Sequence, residues 1–141
     1  MPLLTSIGQN AFSYCTNIAY AKMPNLLSVA SGAFDGCTSL TSVELCNCIS
    51  IDNVAFRNSG LKSFIVPSTL TSIQANAFAG CSALEDLSVA DNNQVYFSDV
   101  DGVHYPAIFK RVDDEHSVMW IAASSLSSLP EGIISVDFDT L

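Results

Sequence analysis

The chain has 141 residues, one domain's worth of material, and its 49% apolar and 13% charged content excludes a disordered chain. Its net charge of −9 argues against nucleic acid and anionic membrane surfaces, which call for clustered Lys and Arg. No apolar run approaches the roughly 18 residues that a spanning helix needs, so membrane insertion is not expected.

The N-terminus, Met1-Pro2-Leu3-Leu4-Thr5, has neither a basic start nor a long apolar stretch and does not read as a signal peptide. Either the protein works where it is made, or the chain is an excerpt whose export signal lies elsewhere. From here one phrase returns every 22 residues: Ile7, Val29, Ile51 and Ile73 each stand four positions before an Ala-Phe pair. The pairs are Ala11-Phe12, Ala33-Phe34, Ala55-Phe56 and Ala77-Phe78. Cys15, Cys37 and Cys81 follow three residues after the phenylalanine, and Ser59 takes that place in the third unit. A constant apolar spacing of this length is the mark of a stacked solenoid, and it argues against a buried catalytic pocket.

Each unit carries two apolar runs. The first is Leu-x-x-Val-x-Leu, as in Leu40, Val43 and Leu45, in Leu61, Phe64 and Val66, and in Leu84, Leu87 and Val89. Ile18, Ala21 and Met23 are its softened form in the first unit. The alternation at the end of this run predicts a short strand with one face buried. The second run, Leu4/Ile7, Leu26/Val29, Cys48/Ile51 and Leu70/Ile73, leads into the Ala-Phe pair. Pro24 and Pro67 stand between runs, where a turn is needed. One such unit cannot bury its own apolar residues, whereas a stack shares one core, with parallel strands about 4.8 Å apart and the four phenylalanines in an internal column.

Five cysteines are an odd number. Cys15, Cys37 and Cys81 occupy one repeat position and are expected as a reduced internal column, since parallel Cβ vectors on adjacent turns suit a disulfide poorly. Cys46 and Cys48 share a face of an extended chain, but no second pair lies at metal-finger spacing, so no metal is implied.

Residues 91–129 break the period and are expected as a β-rich acidic insert. Asp91-Asn92-Asn93 is a turn cluster, while Val95-Tyr96-Phe97 and Val103-His104-Tyr105 read as extended. Ile108 to Val112 and Ser117 to Ala122 predict two strands flanking an acidic tip, Asp113-Asp114-Glu115-His116. From Leu129 to Val136 the chain repeats the phrase of Val66 to Ile73, so 130–141 is expected as a resumed or terminal repeat, with Phe138 and Leu141 closing it. Charge follows this division. Residues 1–84 balance three acids with three bases, and residues 85–141 set eleven acids against two bases.

The phrases Leu4-Thr5-Ser6-Ile7 … Ala11-Phe12 … Cys15 and Leu70-Thr71-Ser72-Ile73 … Ala77-Phe78 … Cys81 resemble the BspA-type (Treponema-type) leucine-rich repeat. The likeness covers about residues 4–90, as four 22-residue units within 1–90, and resumes at 129–136. Asp101-Gly102-Val103-His104-Tyr105 is similar to an Asp-Gly-Val-Leu-Tyr phrase found between repeat blocks of such proteins. Departures are Ser59 for cysteine, Cys46 where proline is usual, and a third unit one residue short before Leu61. The resemblance implies a right-handed leucine-rich-repeat solenoid, with short parallel β-strands on one face and loops and short helical turns on the other. It also implies a cell-surface or secreted location and adhesion to host proteins or other cells, with no catalytic residues and no cofactor. Similar arrays occur in phage-borne proteins.

Catalytic arrangements are sparse. The two histidines, His104 and His116, both lie in the insert. Abundant serine makes a paper Ser-His-Asp triad uninformative, and no Gly-x-Ser-x-Gly elbow is present. Asp99-x-Asp101-Gly102 hints at a calcium loop, but an EF-hand would then begin at Phe97 and end at Ile108, so a turn is the better reading.

The remaining functional surface is the outer side of the repeat strands. Alternation exposes Tyr20 and Lys22, Ser42 and Glu44, Ser63 and Ile65, and Asp86 and Ser88. A non-enzymatic protein-binding module, probing an unnamed protein ligand through these rows, is the leading expectation. The alternative is a structural or receptor-binding part of a larger assembly such as a phage tail or surface fibre. Because repeats begin at Leu4, the N-terminal turn is expected to continue into further chain or to self-associate.

Overall fold

The computed structural model describes residues 3–74, 76–112, 117–123 and 133–136. The first part of the chain winds into stacked coils, each contributing the same three strips of backbone.

One strip holds β1 (Tyr20–Lys22), β3 (Ser42–Glu44), β5 (Ser63–Val66) and β7 (Asp86–Val89). A second holds β2 (Ser28–Val29), β4 (Ser50–Ile51) and β6 (Ser72–Ile73), with Ser6 bridged to Ser28 ahead of them. All pairings in both strips are parallel, with Ser28↔Ser50 and Ser50↔Ser72 in the second. The first strip is interrupted: β1 pairs with β3 and β5 with β7, as two separate ladders. The break coincides with the third unit, which is one residue short before Leu61. There the chain runs close to the preceding coil, and a Cβ at Gly60 would stand 2.2 Å from the Thr38 carbonyl oxygen.

The third strip carries the Ala-Phe pairs. Short helical turns are expected here, yet among the described residues it consists of hydrogen-bonded turns with no helix. The reason is where the amides point. Asn10, Phe12 and Tyr14 donate to the carbonyls of Ser31, Ala33 and Asp35 in the next coil, at 2.7–3.1 Å. Gly32, Phe34 and Gly36 repeat this toward Asn53, Ala55 and Arg57. Only the intervening amides, such as Ser13 to Asn10, bond locally. The residue two after each phenylalanine, Tyr14, Gly36, Asn58 or Gly80, has a positive φ of 54–71°, which stops a helical turn from propagating.

Inside the stack the expected column is present. Phe12, Phe34, Phe56 and Phe78 stack with centroids 5.3, 5.4 and 5.4 Å apart and nearly parallel planes. Phe64 of β5 tilts against Phe56 and Phe78. Leu26, Cys48 and Leu70 form a second fully buried column, and Val29, Ile51 and Ile73 a third. The first coil is less covered: Phe12 and Cys15 are half-buried where Phe34 and Cys37 are buried. A recess of about 230 Å³ there is lined by Leu4, Phe12, Ile18, Met23 and Phe34 among others.

The cysteine column is stitched to the backbone. The Cys37 thiol donates to the Phe12 carbonyl at 2.9 Å and the Cys81 thiol to the Phe56 carbonyl at 3.0 Å. Ser59 keeps the polar role in its coil, 3.3 Å from Cys81 Sγ. All five cysteines are free thiols.

After the last coil come β8 (Tyr96–Val100), β9 (Val103–Arg111), β10 (Ser117–Ala122) and β11 (Ile133–Val136), in the sheet order β11-β10-β9-β8. β8, β9 and β10 are antiparallel neighbours, and β11 joins β10 in parallel. Asp101 and Gly102, with φ of 51° and 78°, make the two-residue turn between β8 and β9, as Asp-Gly favours. The Asp113–His116 tip and the closing residues Phe138 and Leu141 lie outside the described residues. Period-two alternation gives the sheet two faces. Tyr96 and Ile108 enter the solenoid core, while Phe97, Ala107 and Phe109 build a separate cluster on the other side.

Candidate binding surface

The outer row rests on strand alternation. In β5, Phe64 and Val66 point inward, which leaves Ser63 and Ile65 outside. Parallel pairing then sets Tyr20 beside Ser42, Lys22 beside Glu44, Ser63 beside Asp86 and Ile65 beside Ser88. All eight sequence-predicted residues therefore lie on these strands, but they fall into distinct groups.

At one end, Glu44 gathers its neighbours. Tyr20 Oη donates to Glu44 Oε2 at 2.7 Å, and Lys22 Nζ stands 2.9 Å from Oε1. The hydrogen bond from Lys22, then that from Tyr20, holds the Glu44 carboxyl below its usual range. The same carboxylate raises the pKa of Lys22 and of Tyr20. In the middle, Ile65 is 63% exposed and is flanked by hydroxyls of the serine positions. At the other end Asp86 is already engaged: its Oδ1 lies 2.8 Å from His104 Nε2.

Sequence reasoning set His104 aside, and it did not foresee Asp99, whose Oδ1 lies 2.8 Å from His104 Nδ1. No sequence spacing announces this contact, because the pairing of β9 with β8 shifts register between Phe97 and Asp99. With both ring nitrogens on carboxylates, His104 has none directed at a serine, and His116 lies outside the described residues. A second missed pair is Asp35 and Arg57, one coil apart at the same repeat position. Arg57 Nε donates to Asp35 Oδ1 at 3.0 Å, and this buried carboxylate lifts the arginine's pKa further. Opposite charges 22 residues apart were the readable sign.

Between the last coil and the β-sheet, polar groups meet in an ordered way. Asn93 donates through Nδ2 to the Pro67 and Leu70 carbonyls, both at 2.9 Å, and accepts through Oδ1 from the amides of Val95 and Tyr96. Ser98 Oγ accepts the Val89 amide at 3.0 Å. Arg111 donates to the carbonyls of Asn93 and Tyr96 and lies 4.7 Å over the Phe97 ring. Among the described residues no buried side-chain nitrogen or oxygen lacks a partner.

These features define a leucine-rich-repeat solenoid with a β-sheet packed on its last coil. The chain belongs to the BspA-type leucine-rich repeat family: residues 4–100 match the family described as "BspA type Leucine rich repeat region", in six copies. That family is defined by a repeat and not by a catalytic residue set. Three solved structures are similar. One is a leucine rich cell surface protein from Faecalibacterium prausnitzii A2-165, at 25% identity and a TM-score of 0.75, over 88% of this chain and 32% of that one. The pneumococcal vaccine antigen PcpA follows at 18% identity and 0.69, over 84% and 30%. A leucine-rich repeat protein from Eubacterium ventriosum ATCC 27560 gives 19% and 0.64, over 94% and 41%. The chain thus spans 30–41% of the length of these proteins. No curated protein sequence matches it.

Proposed function

We propose that the outer row is a protein-binding surface of a cell-surface or secreted protein, acting without catalysis in adhesion. The observation that carries this is the row itself: Ile65 is held 63% exposed on a rigid strand whose inner neighbours, Phe64 and Val66, are buried. An apolar contact at the centre, hydroxyls around it and charges at the margins match the anatomy of protein interfaces. Tyr20, half exposed, is the second anchor, since tyrosine concentrates binding energy. Surface location is supported by the family and by the Faecalibacterium relative, which is described as a cell surface protein.

The test is retention of the purified chain on immobilised host extracellular proteins, comparing the native chain with Ile65→Asp and Tyr20→Ala. A partner retained by the native chain and lost on either substitution supports the row. Retention of none, or equal retention of all three chains, overturns it.

A further inference from the structure

We infer that His104 is an acid-strengthened latch that fastens the turn end of the β8–β9 hairpin to β7, the last repeat strand. Its ring bridges two carboxylates from different elements. Nε2 stands 2.8 Å from Asp86 Oδ1 on β7, and Nδ1 stands 2.8 Å from Asp99 Oδ1 on β8. A neutral imidazole carries one N–H and can donate to only one of these; toward the other it presents a lone pair. Only the imidazolium donates to both, so this geometry belongs to the protonated ring.

The placement is built into the fold. β9 packs along β7, and Ile108, four residues beyond His104, is fully buried in the solenoid core. Asp99 pairs directly with His104 across the hairpin. The charged groups facing the ring are Asp86 from β7 and Asp99 from β8; β10, Ser-Val-Met-Trp-Ile-Ala, carries no titratable side chain. The rest of the hairpin is held by groups that do not titrate near neutrality, namely Ser98 on Val89 and Tyr96 on Ile73. The latch therefore governs the end near Asp101 and Gly102.

In accord with this, the hydrogen bonds from Asp86 and then Asp99 raise the His104 pKa above its ordinary value, against an opposing effect of burial. The sign follows from that direction. The latch contributes fully below the ordinary histidine value of about 6.5 and is lost as pH rises through the raised value.

The experiment uses the whole chain. The His104 ring is titrated by NMR in the native protein and in Asp86→Asn, and amide protection at Val100 and Val103 is followed from about pH 5.5 to about pH 8.5 in the native protein and in His104→Gln. We expect a native midpoint above about 6.5 that falls in Asp86→Asn. We expect native protection at the hairpin end to drop about two- to fivefold across the range, the scale of one exposed ion pair, and to be flat in His104→Gln. A native midpoint at or below the ordinary value overturns the latch even if neither variant folds. So does an equal drop in native and His104→Gln chains.

Discussion

The hydroxyl of Tyr96 accepts the backbone amide of Ile73 at 2.9 Å, deep in the protein. Ile73 belongs to β6, the last strand of its ladder, and among the described residues no further strand of that ladder supplies an acceptor. A side chain from β8 takes over that backbone role, and Asn93 does the same for the carbonyls of Pro67 and Leu70. The sheet thus meets the end of the stack atom by atom, through hydrogen bonds as well as apolar contact.

Tyr96→Phe removes one acceptor with little change of shape. It should lower stability by about 1–2 kcal/mol, and Asn93→Ala, which deletes four hydrogen bonds, three of them buried, by about 3 kcal/mol or more. Urea unfolding of both variants checks the ranking. Equal costs would mean that the asparagine is not the principal fastening.

Phe56 is stacked on both sides and wholly buried, whereas Phe12 has a ring on one side and is half-buried. Phe56→Ala should cost about 3–5 kcal/mol and Phe12→Ala about 1–2 kcal/mol. Chemical denaturation distinguishes them, and a Phe12 variant as damaging as the Phe56 variant would refute the gradient along the column.

Gly60→Ala places a methyl group against the Thr38 carbonyl oxygen, a backbone atom that cannot step aside alone. A loss of about 1–3 kcal/mol is expected. A melting temperature unchanged from that of the native chain would show that the short third unit can relax.

The thiols should differ sharply in reactivity. Cys46 is exposed, whereas burial pushes the Cys48 thiol up to about 11 and raises those of Cys37 and Cys81. At about pH 8 the Cys48 thiol is therefore held almost wholly in its unreactive protonated form. Timed alkylation read by mass spectrometry should label Cys46 first and Cys48, Cys37 and Cys81 only on unfolding. Early labelling of Cys48 would contradict the packing.

Much of this fold was legible because it is periodic. A residue that returns at constant spacing in every coil announces its own column, so the stacked phenylalanines and the inward residues of β5 could be read directly. The Asp101-Gly102 turn was readable from local chemistry. What escaped was set by contacts between coils or between the repeats and the sheet. The turns beside the phenylalanines are not helical because their amides serve the next coil, and no local propensity reports that. His104 meets Asp86 only because β9 packs along β7, a docking that no spacing encodes. Of the outer row, the sequence conveyed which residues face outward, but not that Glu44 binds Tyr20 and Lys22 to itself.

The amides that leave each Ala-Phe turn for its neighbour, like those of the two strand strips, run along the axis of the stack. Tension applied between the ends of such a spool would pull these links in the direction in which they are weakest together, opening them in succession and not in shear. Each layer so released pays out 22 residues, roughly 75 Å of extended chain. A stack fastened this way is expected to open coil by coil under load, in steps of that length in a force–extension trace.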